Sequence, residues 1–138
     1  MKLFIRFNST SHIQKLVYDL LSGIPNLSLL APLDYLPLVH LLKHAALILT
    51  DSGGIQEEAA GLGIPCLVLR DVTERPEGVA AGVLKLVGTD TDRIVAEAGQ
   101  VFSIKDHQKI FSSAPNPYGV GQSAPRIVQS LFEGISEA

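Results

Sequence analysis

Thr50-Asp51-Ser52-Gly53-Gly54-Ile55-Gln56-Glu57-Glu58-Ala59 follows a short apolar run, Ala45 to Leu49. That run is too short for a free helix and apolar enough for a buried strand, so the local reading is strand, turn, helix. Asp51 and Ser52 are good N-cap residues. Gly53-Gly54 lets the backbone take dihedrals closed to other residues and brings it within reach of a ligand. A helix start exposed in this way gathers unpaired N–H groups and the positive end of the helix dipole, which suits phosphate or diphosphate. On a helical projection Ile55, Ala59 and Leu62 share a face, Glu58 lies at its edge and Glu57 points away. Glu58, not Glu57, is thus placed to offer an acceptor to a ligand such as a sugar hydroxyl. The competing interpretation is a plain α/β turn, with glycines serving geometry alone and both glutamates solvated.

Outward from this stretch, strands and helices alternate. Strands are expected at Leu3–Phe7, Leu27–Leu30, Ala45–Leu49, Cys66–Leu69 and Leu84–Val87. Helices are expected at His12–Leu21, Leu33–His44, Ile55–Leu62, Glu77–Ala81, from a Thr89-Asp90-Thr91 cap to about Val101, at Lys105–Phe111 and at Gln122–Ile135. Such alternation calls for an α/β fold, a Rossmann-like parallel sheet with helices on both faces and ligands beyond the carboxyl ends of its strands. At 138 residues one domain spanning 1–138 is expected.

Composition narrows the functional classes. With 46% hydrophobic and 18% charged residues the chain is globular. Its net charge of −3 and scattered basic residues give no strip for a nucleic-acid backbone. No apolar run reaches membrane-spanning length, and Met1 to Thr10 lacks a signal-peptide core. Cys66 is the single cysteine, which excludes intrachain disulfides and cysteine metal sites and fits a cytoplasmic protein. His40 and His44 are four apart, but Leu36 to Ala46 around them carries no carboxylate, and no metal site is expected. No Ser-His-Asp set can be assembled, and the glycine turn lacks a P-loop lysine.

Arg70-Asp71-Val72-Thr73-Glu74-Arg75-Pro76-Glu77 follows the Cys66 strand at the same sheet edge as the glycine turn. Arg75 precedes a proline, which biases it to extended backbone and a stiff loop. A guanidinium fixed beside a diphosphate can form bidentate bonds and stabilise a leaving group's charge. The alternative is a surface ion-pair cluster among Arg70, Asp71, Glu74, Arg75 and Glu77.

These two runs, with Pro32-Leu33-Asp34-Tyr35-Leu36-Pro37, Leu86-Val87-Gly88-Thr89-Asp90 and Asn116-Pro117-Tyr118-Gly119, resemble in order the non-hydrolysing UDP-N-acetylglucosamine 2-epimerases. The similarity runs from about Ala31 to Ile127. It implies a GT-B architecture of two Rossmann-like domains with UDP-sugar in the cleft, of which this chain resembles the C-terminal, UDP-binding one. By position, Ser52, Gly53 and Gly54 would hold the diphosphate, Glu58 the ribose hydroxyls, and Arg75 the diphosphate during departure of UDP. The implied reaction interconverts UDP-N-acetylglucosamine and UDP-N-acetylmannosamine, a precursor of surface polysaccharides, by eliminating UDP and adding it back, without metal or redox cofactor. The carboxylates that shuttle protons belong to the other domain, so this chain is expected to need it, whether from a longer chain or as a separate subunit. The chain departs from the family pattern at Asn8, Leu38 and Val120, where a histidine, a phenylalanine and an acidic residue are usual. A UDP-binding or relic domain, a GT-B glycosyltransferase and a hydrolysing epimerase are the competing identities. A homo-oligomer is open, because the last helix carries a potentially bare apolar face at Ile127, Val128, Leu131, Phe132 and Ile135.

Overall fold

The computed structural model describes residues 3–6, 11–103, 113–119 and 121–136. The expected Lys105–Phe111 helix, Asn8 and Val120 lie outside the described residues. The chain divides into two compact units, residues 1–41 and 42–138.

The first unit contains β1 (Leu3–Arg6), α1 (Ser11–Leu21) and β2 (Leu27–Leu30), and most of α2 (Tyr35–Lys43), within which the division falls. β1 and β2 pair in parallel with Leu3 opposite Leu27. Gly23, at φ 83°, turns the chain after α1. Of the apolar residues that predict α1, Val17 and Leu21 are half-buried, while Leu16 and Leu20 stand exposed.

In the second unit β3 (Ile48–Thr50), β4 (Cys66–Val68) and β5 (Leu84–Leu86) form a parallel sheet in the order β3-β4-β5. Ile48 lies opposite Cys66, and Cys66 opposite Leu84. β4 is therefore central, and every one of its residues is buried, as a continuous apolar run in a parallel sheet requires. Connecting and following the strands are α3 (Gly53–Leu62), α4 (Pro76–Ala80), α5 (Thr91–Ser103) and α6 (Ser123–Ser136). Ala59 and Ala60 of α3, Val83 ahead of β5, Val87 and Val101 of α5 complete the core. All strand pairings are parallel and helices flank them on both faces, a Rossmann-like arrangement consistent with half of a GT-B fold.

Most element boundaries shift by one to three residues from the periodicity, and two of these shifts have a local cause. β3 starts at Ile48 and not Ala45, because the Ala45 N–H donates to the Leu42 carbonyl at 2.9 Å and prolongs the helical turn. α3 starts at Gly53 and not Ile55. Its end is as expected: Gly63 takes the left-handed conformation at φ 65°, and the N–H groups of Gly63 and Ile64 return to the carbonyls of Ala60 and Ala59.

Candidate functional site

Parallel strands deliver their carboxyl ends to one edge, and three backbone bonds step across that edge. Leu69 N donates to Thr50 O, Val87 N to Val68 O, and Gly88 N to Arg70 O. The glycine turn, the 70–77 loop and Gly88 are thereby launched side by side within the second unit.

At the glycine turn, Thr50 is buried and its Oγ1 accepts from Ser52 N at 3.1 Å, so the threonine shapes the turn from beneath. Ser52 is the N-cap residue of α3 in extended conformation, and its hydroxyl makes no cap bond. Gly53 and Gly54 form the first turn of the helix with ordinary negative φ. The expectation that they adopt dihedrals closed to other residues is therefore corrected; what they contribute is space. A Cβ on Gly54 would meet nothing within 4 Å, and one on Gly53 would stand 3.8 Å from Arg75 Nη2. Helix start, Gly54 and Arg75 thus frame one approach to the first N–H groups of α3, with Glu74 Oε2 also 3.9 Å from the Gly53 Cβ position.

Arg75 is more engaged than the sequence suggests. Its Nε donates to Glu57 Oε1, its Nη1 to the Glu74 carbonyl at 3.1 Å, and its backbone N to Thr73 Oγ1 at 3.1 Å. The Glu57 hydrogen bond and charge, reinforced by Glu74 and Glu77, hold the guanidinium in its charged form, pushing its pKa above the usual arginine value. Of the alternative surface cluster, Arg70 and Glu74 form an ion pair at 3.5 Å, and Glu74 and Glu77 act on Arg75 by charge.

Glu57 is the residue that sequence reasoning missed. The buried face of α3 is centred on Gln56, Ala59 and Ala60, about a quarter turn from the Ile55, Ala59, Leu62 face of the projection. That rotation brings Glu57 to the flank facing Arg75, so the reading that Glu57 points away is corrected. Its cause is Gln56, which is only 1% exposed and accepts from Thr73 Oγ1 at 2.7 Å. Hydropathy places a glutamine outside; a hydrogen bond from the next loop places it inside. Glu58 is half-buried on the same helix, and its proposed role rests on its place in the motif.

The Asn116-Pro117-Tyr118-Gly119 run has a built shape. Asn116 Oδ1 accepts from Tyr118 N at 3.0 Å, and Asn116 Nδ2 donates to Gly119 O at 2.8 Å. Tyr118 lies against α4, where a Cβ on Gly78 would fall 2.3 Å from the tyrosine oxygen and 2.5 Å from Leu84 Cδ1. Gly88 is fixed twice over, by φ 67° and by Asp71 Oδ1, which would sit 2.7 Å from a Cβ there. Among the described residues no group of three or more His, Cys, Asp or Glu side chains could hold a metal ion. Nor is any described helix long and apolar enough to cross a membrane.

The family described as UDP-N-acetylglucosamine 2-epimerase matches residues 2–132 of this chain. The chain belongs to that family. The epimerase of Salmonella typhimurium is 51% identical over 120 residues, covering 87% of this chain and 32% of its own length. The crystal structure of UDP-GlcNAc 2-epimerase from Neisseria meningitidis bound to UDP-GlcNAc is 43% identical, with a TM-score of 0.90 over 96% of this chain and 36% of that one. The S. aureus MnaA-UDP co-structure is 36% identical, with a TM-score of 0.90 over 98% of this chain and 37% of that one. The chain therefore spans about a third of the length of the epimerases it matches.

Proposed function

We propose that this chain is the C-terminal, UDP-binding domain of a UDP-N-acetylglucosamine 2-epimerase, an isomerase, with Ser52, Gly53 and Gly54 holding the diphosphate, Glu58 the ribose hydroxyls and Arg75 the diphosphate as UDP departs. One observation carries the reading: the open start of α3 at Gly54 lies beside the charged guanidinium of Arg75 at the carboxyl edge of a parallel sheet. Two family members of the same local fold are described with UDP-GlcNAc or UDP bound. The proposed diphosphate groups come from two successive loops at the carboxyl edge of one sheet.

In the proposed reaction a base takes the proton from carbon 2 of the sugar, the carbon 1 to oxygen bond breaks, and UDP leaves a glycal. Re-addition of UDP with protonation on the opposite face inverts carbon 2. Arg75 and the N–H groups of α3 would carry the charge that develops on the leaving diphosphate. The proton-transfer carboxylates are proposed to lie in the remaining two thirds of the epimerase length, so turnover needs that part as the same chain or a separate subunit.

Calorimetric titration of the purified chain with UDP tests the binding half. Glu58→Ala should weaken binding by about 1.5 to 3 kcal/mol, the range for a charged hydrogen bond. An absence of UDP binding in the wild-type chain, or no loss with Glu58→Ala, contradicts the assignment. In the reconstituted enzyme, Arg75→Ala should lower turnover more than UDP affinity, and an effect on affinity alone would argue against a role in UDP departure.

A further inference from the structure

Glu57 has no part in the assignment above, yet it makes the contact that orients Arg75. Resting on the diphosphate reading, we infer that Glu57 is a positioning residue, which acts on the nucleotide through Arg75 and does not touch it. The guanidinium has three nitrogens. Nε donates to Glu57 and Nη1 to the Glu74 carbonyl, while Nη2 is the nitrogen beside Gly53 at the start of α3. With two edges occupied, the plane of the fork is set and its remaining corner lies where the diphosphate is proposed to sit.

Neighbouring residues of α3 share the work. Gln56 accepts from Thr73 Oγ1, which in turn accepts from the backbone N of Arg75, so Gln56 fixes the main chain of the loop. Glu57 fixes the side chain. The pair is only half-buried, at 31% and 42% side-chain exposure for Arg75 and Glu57. Its value is thus geometric, since a half-exposed ion pair adds little to stability.

Charge and geometry predict opposite signs for its removal. Three carboxylates, Glu57, Glu74 and Glu77, already act on Arg75, and a further anion is repelled by each of them. Were Glu57 only a nearby negative charge, deleting it would tighten UDP. As a positioning residue, deleting it loosens UDP, and does so only while Arg75 is present.

The test is a double-mutant cycle on the chain, titrating UDP and uridine into wild type, Glu57→Ala, Glu57→Gln, Arg75→Ala and the Glu57→Ala/Arg75→Ala pair. Expected is a loss of UDP affinity of about fivefold to tenfold for Glu57→Ala, less than for losing a direct charge-assisted hydrogen bond to the nucleotide, because Glu57 acts through Arg75. Glu57→Gln, which keeps an acceptor oxygen for Nε, recovers most of it. In the Arg75→Ala background Glu57→Ala has no further effect, and uridine, which lacks phosphates, is indifferent to both. Tighter UDP binding by Glu57→Ala, or the same loss with and without Arg75, overturns the inference. UDP binding that responds to Glu58 but not to Glu57 overturns it alone; no UDP binding by the wild-type chain overturns it together with the diphosphate reading.

Discussion

Gly78 has no Cβ because Tyr118 and Leu84 occupy its place. Gly78→Ala would put a methyl group 2.3 Å from the Tyr118 hydroxyl oxygen and 2.5 Å from Leu84 Cδ1, and Leu84 is buried in the core. Overpacking of this kind costs about 1 to 3 kcal/mol, which urea denaturation will read directly. Tyr118→Phe should be neutral or stabilising by the same assay, because the tyrosine oxygen is buried without a hydrogen-bond partner. Combining the two should recover part of the Gly78→Ala loss; a fully additive double variant would show that Tyr118 is not what Gly78 makes room for. The residue scale also shows where sequence reasoning stops. The glycine turn, Glu58 and Arg75 could be singled out from motif and chain position, whereas Glu57 could not, since its direction depends on a buried glutamine whose partner, Thr73, is 17 residues away. A helical projection weighs hydropathy alone, and one buried polar residue, held through its amide oxygen, turns it. Gly53 and Gly54 show the converse limit: two adjacent glycines signal conformational freedom or open space, and only coordinates distinguish them.

Among the elements, α5 begins where the sequence predicts. Asp90 Oδ1 accepts from Arg93 N at 2.8 Å, and Asp90 O accepts from Ile94 N at 3.0 Å. Asp90→Ala should therefore cost about 1 kcal/mol of stability, the usual penalty for losing an N-cap, while Asp90→Asn should cost little. Equal losses from the two would assign the effect to something other than the cap. Element existence and order were legible throughout the described residues because β4 is a short apolar run, β2 and β5 are leucine-rich with one polar residue each, and α3 and α5 carry clear stop or start signals. Edges were less so. Ala45 and Ala46 look like strand from composition, but a helical carbonyl claims the Ala45 N–H first. Local hydrogen-bond competition of this kind leaves no trace in hydropathy. α6 carries Ile127, Val128, Leu131 and Phe132 exposed at 51% or more, the apolar spacing that defined it from sequence.

At the scale of the whole molecule, one source of pH dependence sits in the central strand. Cys66 is fully buried in β4, and burial pushes its thiol pKa up to about 12. In the unfolded chain the thiol ionises near 8.5. The folded state thus holds the proton more tightly, and the sign follows: the contribution is complete below the unfolded value and is lost as pH rises toward the folded one. Stability should fall between pH 9 and 11, and Cys66→Ala should flatten that part of the profile while lowering the plateau at pH 7. An unchanged slope in the variant would assign the alkaline loss to other groups. The same burial predicts that a thiol reagent labels Cys66 at pH 8 only as fast as the chain unfolds. The exposed face of α6 belongs at this scale too, and sedimentation across a concentration series will show whether the chain associates with itself through it.

The 70–77 loop is tied at intervals along its length: Gly88 N holds the Arg70 carbonyl, Gln56 holds Thr73, Thr73 holds the Arg75 backbone, and Pro76 locks the residue that opens α4. A loop so restrained has already surrendered its freedom when the chain folds. A nucleotide arriving at the start of α3 would meet a finished mould, so its capture rate would be set by diffusion and charge, with no wait for the receptor to rearrange.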